Sequence, residues 1–218
     1  MALQNDNFND NSLDAFWSKN EVGGTTTEQN QQLECDCSTD QDTCGVVTTN
    51  SHDLTTCDIQ VDVVNDTCQS LELYVSLTKT TNSNPYGEDD WYRIIKSRQG
   101  EQYYVQKKVG GGASTIANGA WTSDTGSLRI VISGGTITLY EEATSRASEA
   151  YVHGSYDCYV YLNCRGVTGY LGMDTFDNFL GSSGSAGWTG GNFNGVANAN
   201  IGKINGVSKA NISKVNGV

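Results

Sequence analysis

Apolar residues recur at every second position over short stretches of this chain. Leu33, Cys35 and Cys37 do so, as do Cys57, Ile59, Val61 and Val63. The same spacing returns in Leu128, Ile130 and Ile132, in Ile137 and Leu139, and in Cys158, Val160, Leu162 and Cys164. A period of two sets each group on one face of a strand and leaves Arg129, Thr136, Thr138 and Tyr140 on the other. Strands are expected at 32–37, 45–49, 57–64, 71–78, 91–97, 102–108, 127–132, 136–141 and 156–165. Turn-forming residues separate them: 82–88, 98–101, the glycines at 110–112, and Ser133-Gly134-Gly135 between two strands. Many short alternating strands imply an all-β fold of two stacked antiparallel sheets. No useful stretch has helical periodicity; 11–16 is expected to form at most one helical turn.

The pattern changes after Leu180. Residues 181–191, GSSGSAGWTGG, read as a flexible Gly/Ser linker. Residues 192–218 then repeat with a period of 11: FNGVANANIGK, INGVSKANISK and VNGV in register. That period could suit a right-handed coiled coil, but each copy carries a glycine that costs a helix roughly 1 kcal/mol. Asn-Gly instead favours a tight turn between strands. Val196, Ile201, Ile204, Val207, Ile212, Val215 and Val218 then fall on apolar positions that one copy cannot bury. A β-repeat tail that assembles with itself or with other subunits is expected, the alternative being a floppy low-complexity tail.

Composition narrows the picture. A length of 218 residues suits one domain with an appendage, residues 1–180 being the body. The net charge of −12 would repel phosphate backbones, so no nucleic-acid partner is expected. No run approaches the roughly 18 apolar residues of a membrane span, so no membrane insertion is expected. The opening MALQNDNFND lacks a basic stretch followed by an apolar run, so no signal peptide is expected. The seven cysteines are odd in number and several alternate with core residues. They read as small buried hydrophobes, one or two disulfides being the alternative. With two histidines and no CxxC pair, zinc is not expected.

Several motifs carry a resemblance. DNFNDNSLDAFW (6–17), TTEQNQQLEC (26–35), WYRIIKSRQGEQYYVQKK (91–108), WTSDTGSLRIVISGGTITLYE (121–141), and YDCYVYLNCRG with DTFDNF (156–179) succeed one another along the body. Together they resemble the concanavalin A-like or laminin G-like β-sandwich (jelly-roll) superfamily. That resemblance implies a jelly-roll sandwich over about 5–180, and it bears on fold more than on function. The tail resembles those of bacteriophage structural proteins, which implies a virion surface or fibre component. Partners implied are a second copy of the chain, as a homotrimer or fibre, and other virion proteins.

Catalysis finds little footing. Glycoside hydrolysis needs two carboxyls flanking one bond, and the E-x-D-x-x-E strand pattern of laminarinase-type enzymes is missing. There is no G-x-S-x-G, and the glycines at 110–112 lack the Lys-Ser/Thr and helix of a phosphate loop. A non-enzymatic protein is expected. No cofactor is expected beyond a structural calcium, for which Asp89 and Asp90 in a Gly/Pro/Asn-rich turn are the candidates. Flat aromatic and basic residues suit sugar rings, and Arg93, Tyr104, Arg129 and Tyr140 are the candidates for one exposed glycan-binding face. The leading expectation is a virion structural protein displaying such a sandwich, possible cell-surface glycans being its ligands. The alternatives are a free lectin-like carbohydrate-binding module and a self-assembling extracellular filament.

Overall fold

A computed structural model of the chain describes residues 3–65, 67–81, 84–87, 90–123, 125–153 and 156–183, together with the backbone pairing of 203–204 and 207–208. In chain order the strands are β1 (Trp17–Val22), β2 (Thr25–Gln29), β3 (Gln32–Cys37), β4 (Thr43–Thr48), β5 (His52–Asp53) and β6 (Cys57–Asn65). There follow β7 (Ser70–Ser76), β8 (Trp91–Ser97), β9 (Gln102–Val109), β10 (Gly112–Ala120), β11 (Gly126–Ser133) and β12 (Thr136–Glu141). The body ends with β13 (Thr144–Ala150), β14 (Asp157–Arg165) and β15 (Gly172–Ser183), and the short β16 (Lys203–Ile204) and β17 (Val207–Ser208) pair with each other.

Two antiparallel sheets stack as a jelly-roll-like β-sandwich. One runs β1-β4-β14-β7-β8-β9-β10 with β5 attached to β14; the other runs β13-β12-β11-β6-β15-β3-β2. Between them lies one apolar cluster. The first sheet contributes Val46, Leu71, Leu73, Val75, Tyr92, Ile94, Val105, Val160 and Leu162; the second contributes Leu33, Ile59, Val61, Leu128, Ile130, Ile132, Ile137, Leu139 and Phe176. The alternating positions of the sequence are these inward faces. Burying them supplies most of the drive to stack the sheets, at about 25 cal/mol per Å² of apolar surface.

The first and last parts of the body meet. Asp6 and Phe179 form a bridge with N–H···O bonds of 2.9 and 2.7 Å. Asp6 also accepts Phe8 N–H at 2.8 Å and the Trp17 indole N–H at 2.9 Å. Trp17 in turn packs edge-on against Phe179 with ring centroids 4.9 Å apart. The helical turn expected at 11–16 is instead made of bends and a turn. Asp10 accepts Ser12 N–H at 2.9 Å and Asn11 sits at φ 60°, so a side chain takes a backbone donor a helix would need. Among the described residues, one 3-10 turn at Pro85–Gly87 is the helical element, and no helix is long and apolar enough to cross a membrane.

Candidate functional site

β7 and β8 are buried at all seven positions each, so their outward-facing side chains are covered as well. Half of that outer face is roofed by the segment between the two strands. Tyr161 donates to Thr78 C=O at 2.8 Å and accepts Thr80 N–H at 2.7 Å, and the Trp91 indole donates to Tyr86 C=O at 3.3 Å. Under this roof Val47, Tyr74, Trp91 and Tyr161 form a second apolar cluster. Trp91 therefore packs outside the sandwich core.

Beyond the roof the same face opens into a cleft of about 360 Å³. Its floor is the ion pair of Glu72 on β7 and Arg93 on β8, 3.0 Å apart with side chains 5% and 9% exposed. Strand register places them diagonally, two residues out of line, for Glu72 lies opposite Ile95 and Arg93 opposite Tyr74. Glu72 accepts Ser70 Oγ at 2.8 Å, Asn163 Nδ2 at 3.4 Å and the Tyr74 hydroxyl. Arg93 donates through Nε and Nη2 to Gln106 Oε1 at 2.9 and 2.5 Å. Its guanidinium lies 4.8 Å from the Tyr86 ring centre and 4.9 Å from that of Trp91. Burial opposes the Arg93 charge, but Tyr74 and Glu72 outweigh it and hold its pKa above the ordinary arginine value. Burial pushes the Tyr74 hydroxyl far above its usual range, so it stays a neutral donor.

The walls are amides and one ring. Gln69 donates to Gln99 at 2.7 Å, Tyr104 donates to Gln102 at 2.7 Å, and Arg165 at the rim donates to Gln41 at 2.6 Å. Gln69 Oε1 is buried without a partner among the described residues. Amide groups offer donors and acceptors side by side, which suits vicinal hydroxyls, and a phenol ring gives a flat apolar face. Glu72 is the one carboxylate in the lining.

The expected site residues separate. Arg93 and Tyr104 both line this cleft. Arg129 and Tyr140 do not join them: they lie on β11 and β12, opposite each other in register, on the second sheet. Arg129 there holds Asp58 through two contacts of 2.7 and 2.5 Å, and its guanidinium sits 5.2 Å from the Tyr140 ring. Parity along a strand tells which face a residue takes but not which sheet the strand joins, and that is why the four divide. Asp89 lies outside the described residues. Asp90, at φ 44°, accepts Gly110 N–H at 2.7 Å, which ties the start of β8 to the turn between β9 and β10. Among the described residues no group of three or more His, Cys, Asp or Glu is set to hold a metal ion. Of the tail positions, Ile204 and Val207 pair across β16 and β17; Val196, Ile201, Ile212, Val215 and Val218 lie outside the described residues. The sequence reading missed Glu72, Gln106 and the amide walls, although SLELYVS alternates Glu72 and Tyr74 against Leu71, Leu73 and Val75.

No protein-family model matches the chain, and no curated protein matches it in sequence. Solved structures do match in shape. The laminarinase from Rhodothermus marinus aligns over 84% of this chain and 96% of its own, with a TM-score of 0.64 at 9% identity. The carbohydrate binding module CBM66 from Bacillus subtilis aligns over 77% and 96%, with a TM-score of 0.55 at 13% identity. The exoplasmic/lumenal domain of VIP36, in its Ca2+-bound form, aligns over 77% and 83%, with a TM-score of 0.60 at 11% identity. At these identities the likeness is one of fold, a jelly-roll or galectin-like β-sandwich, and none of the three is named as a virion protein.

Proposed function

We propose that this protein is a lectin-like carbohydrate-binding module whose site is the cleft on the outer face of the eight-stranded sheet. The observation that carries this reading is the cleft floor. Glu72, Arg93 and Gln106 are locked to one another and presented beside Tyr104 and a wall of amides. A preorganised polar floor under a flat ring favours a neutral, hydroxyl-rich ligand, because little side-chain order remains to be lost on binding. Binding is favoured over hydrolysis because a glycosidase needs two carboxyls, and Glu72 is alone and neutralised by Arg93. The test is a glycan array followed by calorimetry on the full chain. Binding that Tyr104→Ala weakens and Tyr140→Ala leaves intact supports the reading; silence across a broad panel of neutral and acidic oligosaccharides overturns it.

A second reading concerns residues 192–218, which we infer to be an assembly element. Its support is the antiparallel register of Lys203–Ile204 with Val207–Ser208, in keeping with the strand–turn–strand pattern expected of each repeat. Such a unit gains order by stacking on further copies, as in a homotrimer or a fibre, and display on a virion surface is one use of it. Light scattering on the full chain and on an Ile204→Asp, Val207→Asp variant tests it: a drop in mass is expected, and a monomeric parent chain sinks the idea.

A further inference from the structure

Five of the seven cysteines lie in one string between the sheets, and nothing in the proposed glycan site uses them. All are fully out of water. Cys35 and Cys37 project from β3 in the seven-stranded sheet. Cys44 on β4 and Cys164 on β14 face each other in register in the eight-stranded sheet. Cys68 lies just before β7, its thiol donating to Gly172 C=O at 3.2 Å. Cys37 and Cys44 place their sulfurs 3.1 Å apart. The Cys35 thiol contacts those of Cys164 and Cys44, and the Cys37 thiol contacts those of Cys44 and Cys68. The sulfurs therefore run in the order 164, 35, 44, 37, 68.

The two sheets approach closely at these cysteines. Packed sheets usually stand about 10 Å apart. Here Cα atoms of β3 come within 8 Å of Cα atoms of β4 and of β14. Two glycines permit the approach: a Cβ at Gly24 would lie 3.0 Å from the Cys44 sulfur, and one at Gly166 would lie 2.9 Å from the Cys37 Cβ. A disulfide needs Cα atoms about 4.4–6.8 Å apart, and strands that approach within 8 Å are near that range. A linear string also differs from a soft-metal site, in which the sulfurs surround one centre; no such group occurs among the described residues.

We propose that this string is a pair of inter-sheet disulfides in waiting, Cys35–Cys164 and Cys37–Cys44, with Cys68 left as the spare thiol. Each bond forms by exchange with a small-molecule disulfide such as oxidised glutathione. Two protein thiols give two electrons and two protons, one S–S bond forms between them, and the small disulfide is cleaved to two thiols. Five thiols cannot all pair. Cys68 stands at the end of the string, its thiol already donating to Gly172 C=O, so it is the one left over when the other four pair. Contact with a neighbouring thiol and then burial raise Cys35, Cys37 and Cys44, and burial raises Cys164, so exchange in the folded protein is slow, and bonding belongs to folding, before the sheets close. Both bonds would tie β3 to the opposite sheet.

The full chain is refolded from its reduced, denatured state in a glutathione redox buffer and, separately, in excess phosphine reductant. Each sample is then denatured in N-ethylmaleimide without reduction, digested and mapped by mass spectrometry. The oxidised sample should yield peptides linking Cys35 to Cys164 and Cys37 to Cys44, with Cys57, Cys68 and Cys158 alkylated. Its Tm should exceed that of the reduced sample by ~5 °C or more. Cys44→Ser should redirect Cys37 to Cys68, the next sulfur in the string. Alkylation of all seven cysteines after oxidative refolding, different pairs in the parent chain, or stoichiometric zinc or copper retained through dialysis would each overturn the assignment.

Discussion

Arg93 and Glu72 meet at 3.0 Å on a face that an isolated sandwich would turn to solvent, yet both are nearly out of water. The roofing segment and the neighbouring rings have desolvated the pair. Their mutual attraction must offset that cost, and the bonds to Ser70, Gln106 and Asn163 satisfy what remains. Breaking such a pair leaves a buried charge alone, which costs about 3–5 kcal/mol. Arg93→Met should lower unfolding free energy by that amount in urea titrations. Glu72→Leu added to it should restore most of the loss. If Arg93→Met alone costs less than ~1 kcal/mol, the floor is more hydrated than described.

The same floor sets expectations for ligand affinity. Tyr104 supplies the flat surface of the cleft, so Tyr104→Ala should weaken glycan binding about tenfold or more, the equivalent of one stacking contact. Gln106→Ala should cost at least as much, because it also frees the Arg93 fork from an amide partner. Arg129→Ala, on the other sheet, should leave calorimetric affinity unchanged. Equal losses at Arg129 would move the site away from the cleft.

The sandwich was legible wherever apolar residues line the inner face of a strand. Alternation located β3, β8 and β12 to the residue. It did not locate β1, β2, β10 or β13, which are the edges of the two sheets. An edge strand has a neighbour on one side only, and β10 and β13 keep most side chains at least partly in water, so polar and small residues serve there. β15 is central yet was marked only by its DTFDNF motif, because two register shifts and the positive φ of Asn178 break its period of two. The cleft was half legible for a related reason. Arg93 and Tyr104 stand in strands the pattern found, but the partner of Arg93 comes from β7, and sheet order is a long-range fact that no local period encodes.

Gly45 is a second place where one atom governs the fold. It sits in β4, where an added Cβ would lie 2.0 Å from the Leu162 carbonyl oxygen on β14. The closest neighbour is backbone, so relief requires the two strands to part. They are paired over Cys44–Cys164, Gly45–Asn163 and onward, and Gly45 C=O also accepts Thr26 Oγ1 at 3.2 Å. Gly45→Ala should therefore destabilise by about 1–3 kcal/mol or more, at the upper end for overpacking. A thermal melt indistinguishable from the parent would show that β4 and β14 have slack there.

Glu28 gives the body a dependence on pH. It is buried beside the 6–14 segment and accepts Asp10 N–H at 3.3 Å. Burial first, then a hydrogen bond with the Asp10 carboxyl and the charge of Asp6, raise its pKa from 4.5 to about 7. Asp6 is raised too, chiefly by burial. A carboxyl raised on folding binds its proton more tightly in the folded state than in the unfolded one. Its stabilising effect is complete below the unfolded value near 4.5 and is lost as pH climbs through about 7. Its contribution to Tm should thus fall between pH ~5 and pH ~8, against an opposite contribution from His153, whose pKa burial lowers. Glu28→Gln keeps the acceptor and removes the titration, so it should flatten that slope and leave the variant the more stable of the two at the alkaline end. A Glu28→Gln variant whose Tm follows the parent's across that interval would contradict the raised Glu28 pKa.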